Sequence, residues 1–187
     1  YWMHNGHVLV DGVKMSKSLG NFMLVRDLLD KYSSNVIRLG ILKTSYRLPF
    51  DFTDTLFAET KTIDEKVYNA LKQANLVIQI DNIKVGLTKK DEKINEIMDE
   101  DFNTSNLITY LLELVKDLNN RLRNKMDFVE VFDKINLINY ILGLKYDLVK
   151  LSEDDKKLYK DWLEYRNNKE FAKADELRKE LVEKNIL

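Results

Sequence analysis

This chain of 187 residues has no cysteine, one proline and two histidines, and each shortage removes a class of explanation. Without cysteine no disulfide can staple the fold. The histidines, His4 and His7, are too few for a metal site, which wants three or four ligands with carboxylates or thiolates close by, so none is expected here. No apolar run approaches the ~18 residues that cross a bilayer. The start, Tyr1-Trp2-Met3-His4, lacks the basic region, apolar stretch and initiator Met of a secretion signal, so a cytoplasmic protein with no membrane partner is expected. A single proline, Pro49, and the absence of low-complexity tracts leave the rest of the chain free to run as helices.

What is present is a 44% hydrophobic composition, enough for a real core in one or two small domains. The net charge of −1 advertises no global affinity for nucleic acid, but it is unevenly spread. Residues 1–50 carry Lys14, Lys17, Arg26, Lys31, Arg38, Lys43 and Arg47 against three aspartates, a local +4 ahead of a body at −5. A basic edge on an acidic body fits phosphate handling.

The basic edge has a focus at Lys14-Met15-Ser16-Lys17-Ser18, followed by Leu19-Gly20-Asn21. Two ammonium groups, two hydroxyls and backbone amides near Gly20 suit a clamp for a polyphosphate, because lysine is a compact point charge with three donors. Before it, Val8-Leu9-Val10-Asp11-Gly12-Val13 predicts a hairpin, Asp-Gly between β-formers being a strong two-residue turn signal. After it, Leu24, Val25, Leu28 and Leu29 recur at helical spacing, so the loop is expected to join a strand to a helix N-terminus, where the macrodipole favours anions.

Beyond residue 50 the pattern is helical. Leu56, Phe57, Ile63, Val67, Leu71, Ala74 and Ile78 predict one long amphipathic helix from about Thr53 to Ile80. A connector over 81–88 leads to a short helix from Lys89 to Glu100, and Asn103-Thr104-Ser105 offers caps for the next. That helix carries the stripe Leu107, Ile108, Leu111, Leu114, Val115, Leu118 and Leu122. Val131, Phe132, Ile135, Ile138, Ile141 and Leu142 form another stripe, stopped by Gly143. Ser152-Glu153-Asp154-Asp155 opens a further helix, and a last one after Asn167-Asn168 turns Phe171, Ala174, Leu177, Leu181 and Val182 inward. The fold class is therefore mainly α, an antiparallel helical bundle preceded by a short hairpin, loop and helix.

Other residues have a structural and a functional reading. Asp99-Glu100-Asp101 reads as a helix end and cap rather than a Mg²⁺ site. Trp162, Tyr165 and Arg166 could stack on an unpaired base, although that spacing more often means packing; Arg166, whose guanidinium serves phosphate or base from a helix surface, is the nucleic-acid candidate among them. Arg121, Arg123 and Lys125 suit a helix end with or without RNA. Nothing here reads as a nucleophile or general base.

K-M-S-K-S resembles the second signature of class I aminoacyl-tRNA synthetases. Tyr1-Trp2-Met3-His4-Asn5-Gly6, Val10-Asp11-Gly12, Lys14 to Phe22, Arg26-Asp27-Leu28-Leu29 and Tyr46-Arg47 with Pro49 resemble the cysteinyl-tRNA synthetase version of this region. Met98-Asp99-Glu100-Asp101-Phe102-Asn103-Thr104 resembles that family's entry into its helical domain, and Phe171 to Arg178 its C-terminal helical hairpin. The chain departs from the family at Ser33-Ser34, where an acidic residue and Pro are usual, at Ser45, where His is usual, and at Leu24, which replaces a Thr and cannot cap.

The resemblance implies residues 1–50 as the end of a catalytic domain, 51–150 as an anticodon-binding type of helical bundle and 151–187 as a C-terminal hairpin. It implies a ligase that uses ATP with Mg²⁺ to make cysteinyl adenylate and then charges tRNA(Cys), acting as a monomer. Lys17 and Lys14 become the catalytic candidates, and Lys14, Met15, Ser16, Lys17 and Ser18 the ATP and pyrophosphate contacts. The zinc and H-I-G-H motif of the family have no residues here, so the chain reads as a C-terminal portion that is inactive alone. Two alternatives stand. A ligase joining cysteine to an amino sugar shares the K-M-S-K-S half, but Phe171 to Leu187 argues against it. A non-catalytic helical tRNA-binding or adaptor protein could keep the loop as a relic.

Overall fold

Asp11 and Gly12 both adopt left-handed backbone, with φ of 49° and 78°, the conformation a two-residue hairpin turn requires and that Asp-Gly supplies. The turn joins β1 (Val8–Val10) to β2 (Val13–Lys14), with Leu9 opposite Lys14 and Val10 opposite Val13. The structure, a computed structural model, describes residues 1–86 and 90–187. The end of the predicted connector and Lys89, the predicted start of the short helix, lie outside the described residues.

Two helices follow the loop, α1 (Val25–Leu29) and α2 (Ser34–Leu42). Leu24 stands at the N-cap of α1 without a side-chain cap, whereas Ser33 caps α2 by accepting the Val36 N–H at 3.2 Å. The chain then returns as β3 (Phe50–Phe52), parallel to β1, with Val8 opposite Phe50 and Val10 opposite Phe52. The sheet order is β2-β1-β3. Leu28, Val36, Ile37 and Phe57 form a buried cluster over it, with Met23, Tyr32 and Phe52 at its margin and Tyr32 stacked on Phe57 at 4.5 Å.

The chain divides into two compact units, one of residues 1–68 and 86–145, the other of residues 69–85 and 146–187. The long helix α3 (Asp54–Ile80) contributes to both and starts at Thr53, whose Oγ1 accepts the Leu56 N–H. In the first unit, α4 (Glu92–Asp99) is capped by Asp91 and α5 (Thr104–Arg123) by Asn103. The α5 stripe from Leu107 to Leu118 is buried as its spacing predicts. In α6 (Val129–Leu142), Ile135 and Ile138 are fully buried and Gly143 ends the helix in left-handed backbone. Buried Asn35 closes this unit: its amide donates to Lys145 O and Asp64 Oδ1 and accepts the Lys145 N–H. A buried amide with every bond made fixes its neighbours with little ambiguity.

In the second unit, α7 (Glu153–Asn167) opens with a full capping box between Ser152 and Asp155 and packs on α8 (Phe171–Glu183). Trp162, Ala174, Leu181 and Ile186 form its core. Gln79 holds the preceding strap by donating to Val149 O and accepting from the Leu151 N–H. Two inward assignments on α8 are corrected, since Phe171 is 62% and Val182 51% exposed. Phe171 opens the helix straight after the turn, and Val182 lies about 100° around the helix from fully buried Leu181. Among the described residues no helix is long and apolar enough to cross a membrane.

Candidate active site

The lysine loop hangs from the hairpin by its own backbone. The Met15 N–H donates to Val8 O at 2.9 Å, extending the β1–β2 ladder by one residue, and Met15 itself is half-buried. From there the chain turns through Lys17 to Gly20, closed by the Gly20 N–H to Lys17 O at 3.2 Å, with Gly20 at φ 68°. Only glycine adopts that conformation without strain.

Asn21 shapes the loop. Its Oδ1 accepts the Ser16 N–H at 2.9 Å and its Nδ2 donates to Lys14 O at 3.2 Å. An amide suits this double duty, because its oxygen accepts while its NH₂ donates from the same planar end. The Ser16 hydroxyl accepts the Leu19 N–H at 3.3 Å and sits 3.2 Å from the Ser18 hydroxyl. The serines and the Gly20 amide are thus engaged with the loop itself. Lys14 and Lys17 are exposed, and neither pairs with a carboxylate among the described residues. The loop therefore presents two ammonium groups on a tied backbone, the arrangement an anion of high charge favours.

Asp51 anchors the other side, its two carboxylate oxygens receiving the Gly12 N–H at 3.2 and 3.0 Å. Neither Asp51 nor Asn21 was assigned a role from sequence. The role of Asp51 depends on β3, and three residues after a proline show too little alternation to predict a strand. Asn21 stands inside the motif-bearing stretch, but its partners are visible only once the loop is folded. The predicted helix dipole is also weaker than expected. Four residues separate Gly20 from Val25, and α1 has five residues and no side-chain cap.

The second cluster joins two distant motifs. Arg47 Nε and Nη2 donate to the two oxygens of Asp101 at 2.5 and 3.0 Å, and the Tyr46 hydroxyl donates to Asp101 Oδ1 at 2.7 Å. The Arg47 bonds, followed by the Tyr46 hydroxyl, hold the Asp101 carboxyl down to about 2. Asp99 ends α4 and Glu100 caps it, as the helix-end reading expects. Beside the pair lies a groove of about 370 Å³ lined by Val8, Ile41, Phe50, Phe52 and Phe102 among others. It is too apolar for a triphosphate.

Arg166 is exposed on α7, its guanidinium carbon 5.4 Å from the centre of the Trp162 ring, while Trp162 is 8% exposed and belongs to the core. Arg121 is taken up locally by Asp117 and Asp127 O. No group of three metal-ligating side chains occurs among the described residues, so the chain's own groups do not fit a zinc site.

Residues 1–62 match the family of class I (C) tRNA synthetase catalytic domains, and residues 93–147 match the DALR domain. Along its whole length the chain is 37% identical to a cysteine–tRNA ligase of Mesoplasma florum, 38% to one of Oceanobacillus iheyensis and 34% to one of Staphylococcus aureus. It spans 43–44% of the length of those relatives. With one family model over the lysine loop, a second over α4 to α6 and relatives that align along the whole chain, the chain belongs to the cysteinyl-tRNA synthetase family.

Proposed function

We propose that this chain provides a cysteine–tRNA ligase with its phosphate-gripping loop and a tRNA-facing helical region. In the reaction, a cysteine carboxylate oxygen attacks the α-phosphorus of ATP, and the bond to the β-phosphate oxygen breaks to release pyrophosphate. A ribose hydroxyl at the 3′ end of tRNA(Cys) then attacks the adenylate carbonyl and AMP leaves. Lys17 and Lys14 stabilise the charge gathering on the departing pyrophosphate, beside any Mg²⁺ that the ATP would bring with it. Ser16 and Ser18 hold the loop's shape, and Met15 seats it on the sheet. Preorganised cations of this kind act on the transition state without reorganising.

The observation that carries the reading is the pair of exposed lysines on a loop whose backbone Asn21 ties at Lys14 and Ser16, following a hairpin turn that Asp51 holds at Gly12. On this reading residues 1–50 finish the catalytic domain, 51–150 form the tRNA-facing bundle and 151–187 the C-terminal hairpin, with Arg166 as a contact to RNA. Zinc, if the whole protein holds it, takes no ligand from these residues. The test is cysteine-dependent ATP–pyrophosphate exchange and charging of tRNA(Cys) by the full-length protein. Both are expected, with exchange absent from residues 1–187 alone. A full-length protein without exchange that still binds tRNA supports the adaptor reading instead.

A further inference from the structure

We infer that Tyr46, Arg47 and Asp101 form a positioning clasp that fixes the corner between α4 and α5 against the strap entering β3, and so sets where a tRNA carried by the helices meets the lysine loop. The inference rests on the function proposed above.

The corner is strained. Asp101 and Phe102 are consecutive non-glycine residues at positive φ, 53° and 54°. Aspartate tolerates that region, but a phenylalanine there is unfavourable because its Cβ crowds the backbone carbonyl. Burial of the Phe102 ring does not compensate, since the residue is 53% exposed. Strain of this kind persists where surrounding contacts over-determine the backbone. Those contacts are the two-point Arg47–Asp101 pair, the Tyr46 hydroxyl and a tether from Thr104 Oγ1 to Leu42 O at 2.7 Å. An exposed ion pair adds only a modest, pH-dependent stability, which is not enough to account for a strained, three-donor arrangement. A fixed direction does.

The clasp leads to the loop through few bonds. Tyr46 O accepts the Gly6 N–H at 2.7 Å, directly ahead of β1, and a Cβ on Gly6 would fall 2.2 Å from Leu48 O, so the two straps lie in close contact. Past Pro49, the Phe50 N–H donates to His7 O, β3 pairs with β1, and Asp51 grips the turn at Gly12. The α4–α5 corner and the lysine loop thus share one small sheet. Adenylate formation needs only the loop side of that sheet, whereas transfer to tRNA needs both sides in register.

The test uses the full-length protein with Arg47→Ala, Asp101→Gly and the two combined; glycine removes the carboxylate and relieves the backbone at once. Pyrophosphate exchange without tRNA is expected within about twofold of the parent, while kcat for tRNA charging falls by about tenfold or more with KM for tRNA little changed. The double variant is expected to be no worse than either single one, because both break the same contact. Arg47→Lys, which keeps the charge but not the fork, is expected to restore part of the rate. Charging unchanged in the single variants, or exchange and charging falling together, overturns the clasp. An inactive parent protein overturns the proposed function and the clasp with it, whereas an active parent with either of those patterns overturns the clasp alone.

Discussion

At the scale of single residues, the lysine loop depends on groups that carry no charge. Asn21 makes two bonds that each contribute about 0.5–1.5 kcal/mol net. Asn21→Ala is therefore expected to loosen residues 16–20 and raise amide exchange at Ser16 by about tenfold while the melting midpoint moves little. Unchanged protection at Ser16 refutes that role. Lys17→Ala in the full-length protein is expected to slow adenylate formation by about 10²–10³ with cysteine affinity nearly constant, measured as pyrophosphate exchange. A parental rate removes Lys17 from the site. The candidate residues of this loop are legible in sequence through the exact run Lys14-Met15-Ser16-Lys17-Ser18, since lysines and serines in a surface loop are by themselves more often merely solvated. Their supports were not legible. Asn21 and Asp51 act through a loop closure and a strand register that no local pattern announces.

At the scale of elements, helices whose caps and stripes agreed were readable to within a residue or two. Ser152 with Asp155, Asn103 ahead of α5 and Gly143 after α6 all stand where their chemistry puts them. The misses have a common cause. Phe171, Val182 and Ile141, the last 39% exposed on α6, are apolar residues next to a buried stripe, and spacing alone does not say where the neighbouring element stops covering it. The reverse holds for Asp133 and Asn139, polar residues that α6 buries. The α7 helix offers a direct separation of packing from recognition. Trp162→Ala is expected to cost about 3–5 kcal/mol by opening a cavity, lowering the melting midpoint. Arg166→Ala gives up only an exposed contact with that ring, so melting is expected to hold while tRNA affinity falls by roughly 1–3 kcal/mol. Equal tRNA binding by Arg166→Ala and the parent removes Arg166 from the RNA surface.

At the scale of the whole molecule, acid is expected to weaken the fold by a traceable route. Asp101 is held down to about 2 chiefly by Arg47, and Asp155 to about 2 chiefly by Lys184, against an ordinary 3.8. A carboxyl bound more tightly as an anion in the folded state stabilises it above its unfolded value, and that stabilisation is lost as pH falls from about 4 towards 2. Asp133 acts oppositely, because burial pushes its carboxyl up and protonation relieves it. Melting midpoints recorded between pH 5 and 2 are expected to fall less steeply for Asp101→Asn and Asp155→Asn than for the parent. Slopes identical to the parent's exclude these pairs as the origin of acid sensitivity.

The parallel pairing of β1 with β3 also governs when the lysine loop acquires its shape. The hairpin is local and closes on the order of microseconds, whereas the Gly12–Asp51 contact joins residues 39 apart in sequence and waits for α1 and α2 to be laid down between them. On an emerging chain the loop's lysines are therefore expected to reach solvent well before the hairpin turn that precedes them is held by Asp51. If the loop grips phosphate as proposed, that competence is a late event in folding, reached only after Asp51 on β3 has docked on the hairpin turn.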